Sequence, residues 1–392
     1  MRNISVTRIL LSCSCTILIA LPLLLLSCKH ESGKKEIKGT VSQGQRVLRA
    51  ERFSVERMEG CTRIIISNPW QGAKGITNEY YLIPRGASIP EGVDSMKVIF
   101  VPIERIICMS TTHTAMILAL YEESSIIGMS GTNFSFSEKL RLSIENGAIE
   151  DVGYEGNLNN ELIIKLSPDL IMMYGVGNES AGYTAKIEDL GIKVIYNADY
   201  LETDPLGKAE WIKLFGALYC KEALADSIFN DESAKYNDLV LLVDSKVNKR
   251  PQVLLGLPYK DTWFISPGNS FISKLIKDAG GSYLWQDITS DVSMPYGLEN
   301  VYMKALKADY WLNTGSAGTA GDIIAVDPRL QELPCFKSGH LYNNNNRISP
   351  GGGNDYWESG TLYPHLILKD IASILHPGIF GDYEPFYYKK LY

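Results

Sequence analysis

Residues 105–120 read RIICMSTTHTAMILAL, and this stretch decides the fold class. Its first part, residues 106–109, is a short continuous apolar run of the kind that forms a buried strand. Residues 110–112 (STT) then offer N-cap hydroxyls, and the apolar residues after them predict a helix. A buried strand that leads directly into a helix is the repeating unit of an α/β protein.

Short apolar strands and helices continue to alternate as far as residue 196. Pro168 follows a predicted helix at residues 161–166, and Gly191 ends another at residues 185–190. The intervening apolar runs predict strands at residues 126–129, 170–173 and 194–196. Helix, break and strand in repetition are typical of a parallel sheet covered by helices.

Residues 206–248 interrupt this alternation with two helical patterns. Trp211, Leu214 and Leu218 recur at helical spacing, and the following run of about 27 residues would span about 40 Å as a helix. The strand and helix alternation restarts at residues 253–255 and ends with a helix at residues 362–375. We therefore expect a helical connector between two halves that each contain a sheet.

Length and composition fit this two-part organisation. One domain usually takes roughly 100–200 residues, so a chain of 392 residues predicts two. The 38 basic and 45 acidic residues give a net charge of −7, which offers no basic face for nucleic acid. Seven cysteines and five histidines are too few and too scattered for a disulfide scaffold or a cysteine-rich zinc module.

The N-terminus carries the pattern of an export signal. Arg2 and Arg8 precede an apolar run over residues 9–26, and the sequence LLSC at residues 25–28 is followed at once by polar residues. This pattern predicts a lipoprotein signal peptide over residues 1–27, with Cys28 as the lipid-modified first residue of the mature chain. The alternative is an uncleaved membrane anchor helix.

Two further segments precede the alternating part of the chain. Residues 28–50 are charged and poor in large apolar side chains, which predicts a lipid-linked, flexible tether. Residues 51–97 contain two strand-like runs separated by turn residues and predict an N-terminal β extension. Cys61, Cys108, Cys220 and Cys335 would belong to the exported body, and their spacing does not determine whether they pair.

The chain resembles periplasmic binding proteins that serve ABC importers of iron chelates and vitamin B12. The resemblance covers about residues 98–380 and lies in the order of several segments. These are the stretch at 105–120, DVGYEGNLNNELIIKLSPDLIMMYG at 151–175, LENVYMKALKADYWLN at 298–313 and GGGNDYWESGTLYPHLILKDIASILHP at 351–377. It implies two Rossmann-like α/β lobes, at residues 98–205 and 249–392, joined by a single long helix in residues 206–248, with the ligand in the cleft between them.

The resemblance also assigns roles to two acidic residues. In such proteins one surface glutamate of each lobe docks onto arginines of the membrane permease, and Glu161 and Glu299 match those positions. A carboxylate near a helix start is stabilised by the helix dipole, and its pairing with a guanidinium has a defined geometry. The alternative is that both are ordinary first-turn acids on solvated helices.

Loops that follow strand ends form the cleft in such folds. Aromatic side chains in these loops suit a large, flat and partly polar ligand, and an arginine could pair with a carboxylate or with a metal chelate. The candidate ligand-binding residues are His113, Tyr154, Tyr174, Tyr259, Trp263, Tyr296, Arg347, Tyr356 and Trp357. Packing in the core or on the surface of a lobe is the alternative for each aromatic residue, and helix capping or a place in the cleft wall is the alternative for His113.

These features predict a lipid-anchored binding protein of the cell envelope that delivers a metal chelate to an ABC importer. Arg347 favours a ferric siderophore-type chelate, and cobalamin or haem is the alternative ligand. No catalytic motif, protein-held cofactor or metal-binding cluster is evident, so an exported enzyme is a less favoured hypothesis. A third hypothesis is a surface lipoprotein whose extension at residues 51–97 binds a partner. We expect contact with the membrane only through the lipid.

Overall fold

The computed structural model describes residues 46–175 and 180–392. The predicted signal peptide at residues 1–27, the lipidation site Cys28 and most of the predicted tether lie outside these residues. Within the described ranges, none of the helices is both long enough and apolar enough to cross a membrane. Cys61, Cys108, Cys220 and Cys335 are present as free thiols.

The N-terminal extension forms a four-stranded sheet in the order β1-β2-β3-β4. Its strands are β1 (Phe53–Met58), β2 (Cys61–Ser67), β3 (Thr77–Pro84) and β4 (Val98–Val101). The first three pair antiparallel, whereas β4 runs parallel to β3. Residues 98–101 therefore complete the extension, although the sequence predicted that the first lobe begins with them. Their apolar pattern fits either sheet, and only the pairing with β3 decides between them.

The first lobe contains a five-stranded, fully parallel sheet in the order β11-β10-β5-β6-β7. A separate two-stranded antiparallel hairpin, formed by β8 and β9, follows β7 in the sequence. The strands are β5 (Ile106–Cys108), β6 (Ile126–Met129), β7 (Glu150–Asp151), β8 (Gly153–Tyr154), β9 (Asn157–Leu158), β10 (Leu170–Met173) and β11 (Val194–Tyr196). The helices are α1 (Thr111–Ala119), α2 (Glu138–Glu145), α3 (Asn160–Leu166) and α4 (Ser180–Asp189).

Local sequence explains how the first strand leads into the first helix. The strand β5 is fully buried, as its continuous apolar run predicts. The Ser110 hydroxyl then accepts a hydrogen bond from the backbone N–H of Thr112 at 3.3 Å and caps α1. The chain therefore turns from strand to helix at the carboxyl end of the sheet.

Three consecutive helices follow the first sheet: α5 (Pro205–Glu210), α6 (Ile212–Leu218) and α7 (Glu222–Lys246). The 25-residue helix α7 packs against α6. Trp211, between α5 and α6, has no exposed surface and contacts the Phe53 ring with a centroid distance of 4.6 Å. One continuous cluster of buried apolar side chains includes members from the extension, these helices and both lobes.

The second lobe repeats the architecture with a sheet in the order β14-β12-β16-β17-β18, parallel except for β18. A separate antiparallel pair joins β13 to β15. The strands are β12 (Gln252–Leu255), β13 (Thr262–Ile265), β14 (Ser282–Tyr283), β15 (Met294–Gly297), β16 (Tyr310–Leu312), β17 (Leu341–Asn343) and β18 (Lys389–Lys390). The helices are α8 (Phe271–Asp278), α9 (Leu298–Ala305), α10 (Ala320–Val326), α11 (Pro334–Lys337), α12 (Asp355–Glu358) and α13 (Pro364–Leu375). The predicted α/β class with two largely parallel sheets is confirmed.

Candidate ligand cleft

A cleft of about 610 Å³ lies between the two sheet-containing halves of the described chain. Several of its lining segments follow carboxyl ends of parallel strands, where α/β proteins bind ligands. They are residues 200–203 after β11, Gly256 after β12, Asn313 and Gly315 after β16, and Asn344 after β17. The volume is within the range of about 300–1,000 Å³ that is usual for small-molecule sites.

Amide side chains hold the loops of the second lobe that line this cleft. The Asn343 side-chain amide donates hydrogen bonds to the carbonyl oxygens of Gly315 at 2.9 Å and Ala317 at 2.8 Å. Asn313 adopts a left-handed conformation with φ of 54°, and its Oδ1 accepts a hydrogen bond from the Tyr388 hydroxyl at 2.6 Å. Asn343 is therefore a buried residue that holds these loops together, because its amide satisfies backbone groups that water does not reach.

Two of the nine predicted ligand-binding residues line the cleft. Tyr356 is buried and meets the Trp357 ring edge to face at a centroid distance of 4.7 Å. Burial raises the pKa of the Tyr356 phenol to about 12, so this group is neutral at physiological pH. Trp357 is 55% exposed, and it is the tryptophan of this chain whose ring a ligand can reach, because the other five are at most 7% exposed.

Trp263 occupies the core of the second lobe and not the cleft, in contrast to the prediction. Its side chain has no exposed surface, its indole N–H donates to the Leu255 carbonyl at 3.0 Å, and it stacks on Trp311 at a centroid distance of 5.6 Å. Successive residues of a strand face opposite sides. The loop-like sequence around Trp263 forms β13, and the pairing of this strand with β15 turns the indole inward.

His113 is also a core residue. Its side chain has no exposed surface, and neither ring nitrogen has a hydrogen-bond partner among the described residues. Burial lowers the pKa of its imidazole to about 3, so the ring is neutral. The expected capping role belongs to Ser110, and His113 lies one turn further into α1, facing the core near Phe215.

Arg347 lies at a contact between the lobes and does not line the cleft. Its Nε donates to Asp355 Oδ2 at 2.6 Å, and its guanidinium lies between the rings of Phe136 and Phe386 at 4.7 and 4.2 Å from their centroids. The charge of this arginine is therefore already paired with Asp355, and both faces of its guanidinium are covered by aromatic rings. The argument from Arg347 for a ferric chelate over a corrinoid is not supported by this placement.

The other four predicted aromatic residues also lie outside the cleft lining. Tyr154 and Tyr259 are largely exposed, at 56% and 69%. Tyr174 is half-buried and packs against the apolar cluster of the first lobe. Tyr296 is half-buried on β15, opposite Trp263.

A close contact between the lobes, which we call the interlobe seam, joins residues 133–137 to residues 347–358. A Cβ atom on Gly351 would lie 2.4 Å from the Asn133 carbonyl oxygen, and one on Gly353 would lie 2.3 Å from that of Phe134. The Gly351-Gly352-Gly353 run has no side chains and can therefore lie close to another backbone. What it permits here is a close approach between the backbones of the two lobes.

Glu358 completes the interlobe seam. Its carboxylate accepts hydrogen bonds from the backbone N–H groups of Phe136 at 2.7 Å and Ser137 at 3.0 Å, at the start of α2. Burial raises the pKa of Glu358 to about 7, with Asp355 contributing in the same direction and Arg141 opposing it. The seam therefore contains an ionisable group whose charge changes near neutral pH.

Sequence reasoning missed the contribution of the extension to the cleft, which consists of Arg52 and Gln71. Two buried carboxylates position this part of the chain. Glu210 accepts hydrogen bonds of 2.6–3.0 Å from the backbone N–H groups of residues 48–50, and Glu202 accepts bonds of 3.0–3.1 Å from those of residues 51–52. We call residues 46–52 with these two acids the N-terminal latch. No local signal marks it, because its partners are at least 150 positions apart.

The two predicted docking acids are exposed and lie in the first turns of equivalent helices. Glu161 follows the N-cap Asn159 of α3, whose side chain accepts a hydrogen bond from the Leu162 N–H at 3.0 Å. Glu299 lies in the first turn of α9 and forms an ion pair with Arg329 at 3.1 Å. Docking of these two acids onto a permease stays a prediction.

Comparisons with known proteins agree with this architecture. Residues 106–347 match the family model described as periplasmic binding protein. An uncharacterised lipoprotein of Methanocaldococcus jannaschii is 31% identical over 306 residues, covering 76% of this chain and 71% of the relative.

Solved structures show the same fold. A possible iron-binding, periplasmic solute-binding protein of Staphylococcus epidermidis aligns with a TM-score of 0.54 and 17% identity, over 70% of this chain and 99% of the other. A periplasmic haem-binding protein of Pseudomonas aeruginosa aligns with a TM-score of 0.55 and 16% identity, over 74% and 98%. The family match, the related lipoprotein and the two-lobed fold lead to one conclusion: this chain belongs to the periplasmic binding protein family.

Proposed function

We propose that this protein captures a metal-chelate nutrient, of the ferric siderophore type, in the cleft between its lobes and delivers it to the permease of an ABC importer. The observation that carries the proposal is the cleft of about 610 Å³, with the exposed indole of Trp357 on its wall. A flat aromatic face beside amide groups suits the mixed apolar and polar surface of a metal chelate.

The comparisons support the class of function. The aligned structures from Staphylococcus epidermidis and Pseudomonas aeruginosa are named as iron-binding and haem-binding proteins. Haem and cobalamin are therefore the alternative ligands. The lipoprotein name of the Methanocaldococcus jannaschii relative, together with the LLSC sequence at residues 25–28, supports lipid attachment at Cys28 and a place in the cell envelope.

The proposal is for binding without turnover. The ionisable side chains that line the cleft are few. Glu202 is buried and already accepts hydrogen bonds from Glu51, Arg52 and Trp211. Tyr356 is held neutral by burial. Neither group is free to act as a base at neutral pH, and the exposed Asp291 is the one further acid among the described lining residues.

Isothermal titration calorimetry of the full-length chain tests the proposal. The probes are a ferric tris-catecholate, a ferric tris-hydroxamate, haem and cyanocobalamin. We expect saturable binding of at least one probe at a single site, with the ligand recovered unchanged after prolonged incubation. Absence of binding to all four, or slow consumption of a bound probe, would contradict the proposal.

A matched pair of variants locates the binding site. Trp357→Ala should weaken binding about tenfold, because an aromatic contact contributes about 0.5–1.5 kcal/mol beyond the area that it buries. Tyr259→Ala is the control, since Tyr259 is also an exposed aromatic residue but does not line the cleft. Equal affinities of both variants and the unmodified chain would place the ligand elsewhere.

A further inference from the structure

We infer that the N-terminal extension completes the ligand site and that Arg52 selects anionic chelates over neutral ones. The inference rests on the proposed function and narrows its ligand class. Arg52 and Gln71 belong to the extension, and both lie outside the residues 106–347 that match the family model. The extension is therefore part of the cleft wall and not an appendage to the first lobe.

Arg52 supplies the positive charge of the cleft. Among the described residues that line the cavity, it is the sole lysine or arginine. The acids in the same lining are Glu202, which is buried, and Asp291, which is exposed on the second lobe. The remaining polar side chains there are neutral amides and hydroxyls, so Arg52 is the group of this lining that can pair with an anionic group of a ligand.

One hydrogen bond holds the guanidinium of Arg52 in place, and most of its N–H donors stay available for a ligand. Its Nη1 donates to the Asn68 carbonyl oxygen at 3.0 Å, and its backbone N–H donates to Glu202 at 3.1 Å. Within the described part of the chain, its side chain has no ion pair with a carboxylate. A guanidinium has five N–H donors in a fixed planar arrangement, so an anionic group of a ligand can still be bound by two of them.

The N-terminal latch makes this position rigid. Glu210 is fully buried and forms an ion pair with Lys213 at 3.0 Å, and Lys213 in turn donates to the Arg46 carbonyl oxygen at 2.8 Å. A Cβ on Gly207 would lie 3.1 Å from the Arg49 carbonyl oxygen, so α5 accepts the latch closely. A cationic side chain on a fixed backbone loses little freedom on binding, which favours affinity.

Gln71 is the second contribution of the extension. Its backbone N–H donates to the Tyr200 hydroxyl at 3.0 Å, and that hydroxyl donates to the Gly175 carbonyl oxygen at 2.5 Å. The loop between β2 and β3 is thereby joined to the segment after β11. Arg52 and Gln71 thus present a cation and an amide from the same side of the cleft, a donor set for carboxylate or catecholate oxygens.

Calorimetry with the full-length chain tests the inference through the charge of the probe. Ferric tris-catecholate is triply negative and haem has two carboxylates, whereas ferric tris-hydroxamate and cyanocobalamin have no net charge. We expect the anionic probes to bind more tightly than the neutral ones. Arg52→Gln should weaken the binding of an anionic probe about tenfold or more, which is about 1.4 kcal/mol, and should leave a neutral probe within about twofold.

Two further variants control the experiment. Arg57→Gln removes the same charge from the surface of the extension outside the latch, where Arg57 pairs with Glu222 at 3.6 Å, and should leave both affinities unchanged. Arg52→Lys keeps the charge but not the planar donors, so it should recover part of the affinity. If Arg52→Gln does not fold, Arg52→Lys is compared with the unmodified chain. Weaker binding of the anionic probe alone supports the inference, and equal affinities for that probe overturn it.

The outcomes separate this inference from the proposed function. Binding of an anionic probe with equal affinity by the unmodified chain and Arg52→Gln would overturn the role of Arg52 and leave the proposed function intact. Tighter binding of a neutral probe than of the anionic probes by the unmodified chain would also overturn the role of Arg52 and leave the proposed function intact. Binding of none of the probes would overturn the proposed function and, with it, the inference.

Discussion

Replacing Glu358 with glutamine should remove a loss of stability that the unmodified protein undergoes as the pH rises through neutral. Glu358 is 2% exposed, and burial raises its pKa from an ordinary value of 4.5 to about 7. Between these two pH values, the native state retains a proton that the unfolded chain has released. The contribution of Glu358 to stability is therefore fully present below about pH 4.5, falls as the pH rises, and is lost above about pH 7.

The size of the effect follows from the pKa difference. One pKa unit corresponds to about 1.36 kcal/mol, so the whole interval lowers the free energy of unfolding by an amount on the order of 3 kcal/mol. Glutamine cannot ionise, but its amide NH2 is a donor and leaves one of the two backbone N–H groups of Phe136 and Ser137 without an acceptor at every pH. This cost does not change with pH, so it cancels when the two pH values are compared. Relative to Glu358→Gln, the unmodified protein should therefore lose about 2–3 kcal/mol of stability between about pH 5 and about pH 8.

Urea unfolding at both pH values, followed by circular dichroism, measures the difference. Asp370 is also buried with a pKa raised to about 6, but it is present in both proteins and cancels in the comparison. Glu138→Gln, an exposed acid in the first turn of α2, is the control for removing one charge near the seam. A stability difference between the two proteins that stays the same at both pH values would refute the reasoning and show that the two backbone N–H bonds offset desolvation.

Two other predictions concern the interlobe seam and the docking acids. Gly353→Ala should lower the free energy of unfolding in urea by about 1–3 kcal/mol, because its Cβ would overlap the Phe134 carbonyl oxygen. Gly182→Ala is the control: it has open space around it in α4 and should be neutral or slightly stabilising. Equal effects of the two substitutions would contradict the close contact at Gly353. Reversing the charge of Glu161 and Glu299 to lysine should abolish uptake in cells but leave calorimetric affinity unchanged, with Glu138→Lys as the control; a loss of affinity would instead assign these acids to the ligand site.

The sequence predicted the elements of the lobes well because their signals are local. Buried parallel strands such as β10 are continuous apolar runs, and a hydroxyl such as that of Ser110 marks the helix start that follows β5. Hydrophobic periodicity predicted a strand at Val98–Val101 but not the sheet that it joins, since an apolar strand can pair in either of two sheets.

The site was harder to predict because it depends on contacts distant in sequence. Trp263 and His113 are residue types that are expected in a ligand cleft, but the pairing of β13 and the orientation of α1 direct both side chains into the core. Arg347 resembles a ligand-binding cation until Asp355 and the two phenylalanine rings around it are seen. Arg52 lacks any sequence signal, because Glu202 fixes it from 150 residues away.

The N-terminal latch also determines how far the body can travel from a membrane. If Cys28 is lipid-modified as proposed, the chain that joins it to Arg46 can span at most about 65 Å, at roughly 3.3–3.6 Å per residue. A protein confined to so thin a layer meets a membrane partner at an effective concentration on the order of millimolar. If Glu161 and Glu299 dock onto a permease as predicted, that contact can then be weak and rapidly reversible, so that each molecule is released for another round of capture.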